Sequence, residues 1–380
     1  MTVTVVGVDG KTLPEGASNA LTAADLVIGP QRLLDAHAPS DTPMLELERG
    51  LAEVTSAVNA VVLADGDPTF FGIIRTLREK SLRLVVLPAV SLLQRMFAAL
   101  GRPSDDVSVV QGTDFNQAVN VCRARGAVAV LGANPAELAV ALGGWRRTLV
   151  VAGPDGEVST VDLVDAANRT WPEPWVVLCL AELDKLPPRG WIAGAQPLSG
   201  GWALPEDEFA SRDGLVTTAE VRAVALARLA PAPGTLIWDV GAGSGAVAVE
   251  CARLGAAVLA VERDPMQCLR IMANVSKFDV DVRVVEAELL AAISTLPKPD
   301  AIFIGGGGET AIRACHSVGA PRMVVAVSSI DSVAISMDAM RKADYKVAGT
   351  QVAAARLDEF ADGTTRLAAV DPVTVLWGEK

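Results

Sequence analysis

The chain has 380 residues, more than one domain ordinarily holds, so two domains are expected. The net charge is −12, with 16 basic against 22 acidic residues through residue 196 and 17 against 23 beyond it. No Lys/Arg run occurs in either half, which argues against a nucleic-acid partner. Half of the residues are apolar and few are aromatic, a balance that suits packed helices over buried parallel strands and hence an α/β class.

The chain opens with MTVTVVGVDG, a strand-like run over 2–8 that feeds a glycine turn. It has no basic flank and no cleavage-site pattern, so it does not read as a signal peptide. No stretch of 18 apolar residues follows anywhere, so no membrane partner is expected and a cytoplasmic location is. Helical patterns at 15–24, 50–58, 73–80 and 91–100 alternate with strand patterns at 26–29, 60–64 and 82–87. That βαβ rhythm predicts a mostly parallel sheet. Further strands are predicted at 127–131, 148–152 and 175–180. The five cysteines, Cys122, Cys179, Cys251, Cys268 and Cys315, fall outside any CxxC spacing and read as reduced core residues.

Residues 186–214 mix Pro, Gly, Trp and acids with neither hydrophobic period, as a connector between domains does, and Trp191 and Trp202 are expected to dock it. Thr217 and Glu220 form a T-x-x-E capping box that predicts a helix start before Val221. Strands are then predicted at 236–240, 257–261, 282–285, 301–304 and 323–327, separated by helical stretches. The runs 346–355 and 370–376 have only a polar turn region between them, so the parallel sheet should end in an antiparallel hairpin.

Residues 237–245 read IWDVGAGSG, a buried strand entering a glycine turn and then a helix over 246–254. Glycines let a ligand approach the backbone, and a helix N-terminus supplies unpaired N–H groups. Glu262 ends the next strand, where a carboxylate can bind ribose hydroxyls. The site therefore fits an adenosine-type cofactor. Gly241, Gly243 and Ala246 also satisfy the dinucleotide fingerprint G-x-G-x-x-G/A, so a nicotinamide dehydrogenase stands as an alternative. Three features favour S-adenosylmethionine. Asp239 precedes the first glycine, where an acid suits a cationic methionine moiety; the loop is G-x-G-x-G; and the sheet ends in a hairpin. The cofactor-binding candidates here are Asp239, Gly241, Gly243, Ser244, Gly245, Glu262 and Ala287.

Residues 212–380 resemble the cobalamin-biosynthesis methyltransferases that act on carbon 15 of the corrin precursor. The likeness lies in RDGLVTTAEVR, IWDVGAGSG, VERDP from Val261, PDAIFIGGGG from Pro299 and the closing DPVTVLWG. The run Gly305, Gly306, Gly307 and Gly308 offers a strand end without side chains, where a flat macrocycle could lie against backbone N–H groups. The family usually has Lys where this chain has Thr218. In the first half, VVGVDG, ADLVIGPQRLL from Ala24, ADGDPTFFG from Ala64 and LPAVSLLQRMFAALG from Leu87 resemble the tetrapyrrole methylases, which bind S-adenosylmethionine in a cleft between two α/β lobes. That resemblance spans roughly residues 2–196 and makes Gly7, Asp67, Phe70 and Phe71 cofactor-binding candidates. The family's first loop is commonly G-x-G-P-G, whereas this chain has Gly7, Asp9 and Gly10.

The fusion is similar, nearly end to end, to the precorrin-6Y C5,15-methyltransferase (decarboxylating) family. The resemblance implies a two-lobed tetrapyrrole methylase fold over 1–196, a linker over 197–213, and a Rossmann-like class I methyltransferase sheet over 214–380. It further implies methylation at carbon 5 by the first domain, with methylation at carbon 15 and loss of the carbon-12 acetate carboxyl by the second. The implied partner is a precorrin, a tetrapyrrole; homo-oligomerisation stays open. The alternatives are a methyltransferase for another tetrapyrrole or bulky anionic metabolite with only the C-terminal domain active, and a first domain that is a binding module.

A sulfonium methyl is an activated electrophile, so alignment alone can supply about 7 to 11 kcal/mol and no acid–base dyad is required. Neither His37 nor His316 sits in a metal-ligand or triad pattern, and no metal is expected. Carboxylates of the substrate should meet guanidinium forks, for which Arg212, Arg222, Arg313 and Arg356 are the candidates beside the glycine run.

Overall fold

The computed structural model describes residues 2–10, 12–70, 73–153, 156–173, 175–183, 185–187, 193–194, 201–212, 214 and 216–380. Contacts divide the chain into two compact units, one of Met1–Thr113, Ala129–Val140 and Arg147–Gly194, the other of Asp114–Val128, Ala141–Arg146 and Ala195–Lys380.

The first sheet is made by β1 (Thr2–Val8), β2 (Leu26–Gly29), β3 (Met44–Glu46), β4 (Asn59–Asp65) and β5 (Arg83–Leu87), in the order β3-β2-β4-β1-β5. Every pair in it is parallel. Its strands are near-continuous Val/Ile/Leu runs because helices cover both faces, as a parallel sheet requires. The second sheet has β6 (Ser108–Gln111), β7 (Ala127–Leu131), β8 (Thr148–Ala152), β9 (Val158–Asp162) and β10 (Val176–Leu180), in the order β6-β7-β10-β8-β9. Here β8 pairs antiparallel with both β9 and β10, so the mostly parallel sheet read from sequence for this half holds in the first sheet and not throughout the second. The short strands β3, β6 and β9 carry polar residues and no clear alternation, which is why periodicity missed them.

The second unit holds β11 (Leu236–Val240), β12 (Ala257–Glu262), β13 (Arg283–Glu286), β14 (Ala301–Ile304), β15 (Arg322–Val327), β16 (Lys346–Glu359) and β17 (Thr365–Glu379). Their order is β13-β12-β11-β14-β15-β17-β16. Strands β11 to β15 are parallel, and β17 closes antiparallel on both β15 and β16. The fold is therefore α/β, with a Rossmann-like sheet that ends in a hairpin. One apolar layer packs around Trp238, Leu259 and Met323, and the opposite layer around Ile237, Val258 and Phe303. Between them the chain order reverses beside β11, and in open α/β sheets ligands bind where the strands end at such a switch point.

Residues 203–210 pack on this unit, with Phe209 buried against Ala246 and Val249. Trp202 is 54% exposed, against the expectation that it docks, and Trp191 lies outside the described residues. All five cysteines are free and buried. No helix among the described residues is long and apolar enough to cross a membrane.

Candidate functional site

In the second unit, β11 runs straight into the glycine turn and the helix Ala246–Arg253. Gly241, Gly243 and Gly245 all have positive φ, the region that favours glycine. At Gly241 the reason is also steric, because an added Cβ would lie 2.9 Å from the Gly306 Cα. The ends of β11 and β14 thus touch backbone to backbone. Gly243 faces open space, so a ligand could approach its backbone closely. Gly245 sits against Ile271, and the Ser244 carbonyl accepts from Asn274 Nδ2 at 2.8 Å.

Asp239 is 1% exposed. Its Oδ2 accepts the Ala248 N–H at 2.9 Å, which clamps strand to helix, while Oδ1 is buried and meets no hydrogen-bond donor among the described residues. Burial, reinforced by the nearby Glu262 charge, raises its carboxyl to about 7. A cationic ligand group would offset that cost, which is what the sequence reading asked of this position.

Glu262, at the end of β12, accepts three backbone N–H groups, from Gly243 at 2.9 Å, Arg263 at 2.8 Å and Asp264 at 3.0 Å. A carboxylate has about four acceptor sites, so one remains for a ribose hydroxyl while the loop is held in this way. The Ala287 N–H donates to the Glu262 carbonyl at 3.0 Å, which sets Ala287 on the same rim. Gly305, Gly307 and Gly308 are exposed, and Gly307 starts the helix Gly308–His316 without a side-chain cap. The loop residues, Asp239, Glu262, Ala287 and the glycine run therefore converge at one end of the sheet.

The arginines expected there do not converge. Arg222 is 0% exposed and is a structural residue. Its Nε bonds Glu250 at 3.2 Å, its Nη groups donate to the Thr217 and Leu204 carbonyls, and Phe209 covers its face. Arg356 forks onto Glu206 at 2.8 and 2.9 Å and onto Glu220 at 3.1 and 2.6 Å. Arg313 pairs with Glu309 one turn away on the exposed side of its helix, and Arg212 is exposed. The capping box is also corrected. Thr218 is the N-cap and its side chain makes no cap bond; the Glu206 carboxylate accepts the Ala219 N–H at 2.6 Å instead, while Glu220 is drawn to Arg356.

Glu250 and Asn274 were missed in the sequence. Glu250 receives the Ala203 and Leu204 N–H groups at 2.7 and 2.8 Å, and Asn274 exchanges bonds with Ala210 while holding Ser244. A signal existed, since each is a polar residue on an otherwise apolar helix face, beside Val249 and Cys251 or three residues after Ile271.

The first unit holds a cavity of about 840 Å³, lined from both of its sheets. That volume suits a cofactor-sized ligand. Asp67 and Phe70 line it, and Asp67 Oδ1 accepts from the Thr69 N–H and hydroxyl at 2.9 and 2.7 Å. Gly7 is buried behind the lining. An added Cβ there would lie 2.2 Å from the Gly66 carbonyl oxygen and 2.8 Å from the Ala89 nitrogen, so Gly7 lets the loops after β4 and β5 close on the end of β1. Phe71 lies outside the described residues. His37 is partly buried, which lowers its pKa, and His316 is exposed; among the described residues no group of three or more His, Cys, Asp or Glu gathers that could hold a metal.

Two domain families match the chain, one described as tetrapyrrole (corrin/porphyrin) methylases over residues 2–153 and one as a precorrin methyltransferase domain over residues 207–376. A relative from Sinorhizobium sp, named precorrin-6Y C(5,15)-methyltransferase [decarboxylating], is 33% identical over 368 residues, covering 89% of this chain and 87% of the relative. One of the same name from Mycobacterium tuberculosis is 32% identical over 329 residues, 80% of this chain and 79% of the relative. A relative from Pyrobaculum aerophilum, named "Probable cobalt-precorrin-6B C(15)-methyltransferase (decarboxylating)", is 32% identical over 186 residues, 46% of this chain and 93% of its own length. With both domain families matched in this chain, and a likeness to the Sinorhizobium relative that covers 89% of it, the chain belongs to the precorrin-6Y C(5,15)-methyltransferase (decarboxylating) family and is a methyltransferase.

Proposed function

We propose that the chain uses S-adenosylmethionine to methylate precorrin-6Y at carbons 5 and 15 and removes the carboxyl of the carbon-12 acetate chain. The reading rests on its likeness to the Sinorhizobium relative, whose name carries both positions and the decarboxylation. The first domain, 1–196, takes carbon 5 and its cavity takes one donor. The second domain, 214–380, joined through 197–213, takes carbon 15 and the decarboxylation.

The residues present at the second site fit the donor. Gly243 leaves the backbone open, Glu262 keeps an acceptor for a ribose hydroxyl, and Asp239 has an unpartnered buried oxygen suited to a cation. When bound, the donor supplies an electrophilic methyl that needs no acid. The protein's task is to hold and orient, and to exclude water from the reacting carbon. The Gly305–Gly308 backbone beside Gly241, exposed at all but Gly306, gives a flat ring a surface close to the cofactor loop.

Incubation of the purified chain with precorrin-6Y and methyl-labelled S-adenosylmethionine, read by mass spectrometry, should give a product with two labelled methyl groups and one carboxyl fewer. Absence of any labelled product sinks the proposal.

A further inference from the structure

The first-unit cavity is lined by the carboxylates Asp9, Asp65, Asp67 and Glu173 and by the guanidiniums of Arg32 and Arg95. A ligand carboxylate entering it is repelled by the acids and has two cations to meet. Arg32 is paired with Asp65, and both side chains are nearly half exposed. Arg95 differs. Its Nε stands 3.1 Å from Asp9 Oδ1, with the side chains only 33% and 29% exposed. Both atoms are buried, yet the pair is not in hydrogen-bond geometry, so Asp9 meets the guanidinium by charge and the Arg95 Nε has no hydrogen-bond acceptor among the described residues.

A guanidinium carries five N–H donors in a planar fork. Asp9 fixes this one by charge while leaving those donors unspent. Its Nη1 would lie 3.5 and 3.4 Å from a Cβ placed on Gly10 or Gly156, ordinary contact distances, so two glycines border the end of the fork without covering it. Asp9 itself stands in the loop where the family resemblance implies a glycine.

We propose that Arg95 is the carboxylate receptor of this cavity, oriented by Asp9. The inference rests on the reading that this cavity serves methylation at carbon 5. Two ligands could present the carboxylate: the methionine end of the donor, or an acetate or propionate chain of the tetrapyrrole. A bidentate fork binds either in the same way.

The test uses the full chain carrying Gly243→Arg, which leaves one donor site, with Arg95→Gln and Arg95→Lys added in turn. S-adenosylhomocysteine affinity is measured by titration calorimetry, and KM and kcat at carbon 5 with precorrin-6Y. If the donor supplies the carboxylate, Arg95→Gln weakens S-adenosylhomocysteine by about tenfold or more. If the tetrapyrrole does, that affinity holds and KM rises by about tenfold or more with kcat little changed. Arg95→Lys recovers part of either loss, because it keeps the charge and loses the fork, a pattern that mere loss of structure would not give. Affinity and KM both unchanged in Arg95→Gln overturn the proposal. A chain unmutated at Arg95 that leaves carbon 5 unmethylated contradicts the proposed function instead, and titration of S-adenosylhomocysteine and of precorrin-6Y on the same variants then decides for Arg95, both affinities unchanged overturning its role.

Discussion

Arg222 and Glu250 form an ion pair with both side chains 0% exposed, joining the helix Ala219–Leu229 to the helix that leaves the glycine loop. The remaining Glu250 acceptors hold the Ala203 and Leu204 N–H groups, so one carboxylate anchors the incoming segment, the first helix of the sheet and the cofactor-loop helix together. Removing one partner of such a pair leaves a buried charge uncompensated, at a cost of about 3 to 5 kcal/mol. Arg222→Ala should therefore lower unfolding stability of the second unit by about that amount in denaturant titration. A rise in substrate KM without loss of stability would contradict the structural assignment.

Asp239 sets a pH dependence. Its folded-state value, about 7, lies above the ordinary 3.8, so the folded state holds the proton more tightly than the unfolded. The stability this contributes is fully present below about 4 and is lost as the pH rises through about 7, on the order of 4 kcal/mol in all. Asp239→Asn keeps an acceptor for the Ala248 N–H and cannot ionise. Its stability curve between pH 4 and 7 should be flatter than that of the parent chain, and parallel curves would refute the burial argument.

Much of the second unit was legible because its signals are local. The periods of IWDV and AIFI, and the glycines that follow, fix β11 and β14 at the bounds read from sequence. The meeting of Gly241 with Gly306 was not legible, since it depends on two strands whose paired residues, such as Ile237 and Ala301, are 64 apart in sequence becoming neighbours. Arg222 misled for the same reason: its partner lies 28 residues away, and nothing local to Arg222 announces burial. The capping box failed because Glu206, 13 residues before Ala219, supplies the acceptor that Thr217 was expected to supply. In the first unit, the Asp67 turn was legible, whereas the pairing of Asp9 with Arg95 required the fold.

The two loop glycines should separate under mutation. Gly243→Ala meets open space and pays only for its left-handed backbone, about 1 to 2 kcal/mol. Gly241→Ala adds a collision with the Gly306 backbone. Gly241→Ala should thus lose more stability than Gly243→Ala and displace the glycine run as well, read as thermal midpoint and as donor affinity. Equal losses would contradict the contact between the two strand ends.

Arg356 holds Glu206 at about 2, well below the ordinary 4.5, by hydrogen bonding to its carboxylate, and lowers Glu220 in the same way. A depressed carboxylate contributes stability that is present above about 4.5 and is lost as the pH falls towards 2. Arg356 is 40% exposed, so solvent screens the network and Arg356→Gln should cost about 1 kcal/mol at neutral pH. The difference from the parent chain should shrink below pH 4 and in high salt; a constant difference would contradict an electrostatic origin.

The central claim, that one chain carries two donor sites, is tested most directly by calorimetric titration of the intact protein with S-adenosylhomocysteine, repeated on Gly243→Arg. Two sites should fall to one, because the substitution fills the loop of the second unit and leaves the cavity of the first untouched. One site falling to none would leave the first unit without a donor, and no binding to either protein would contradict the account as a whole.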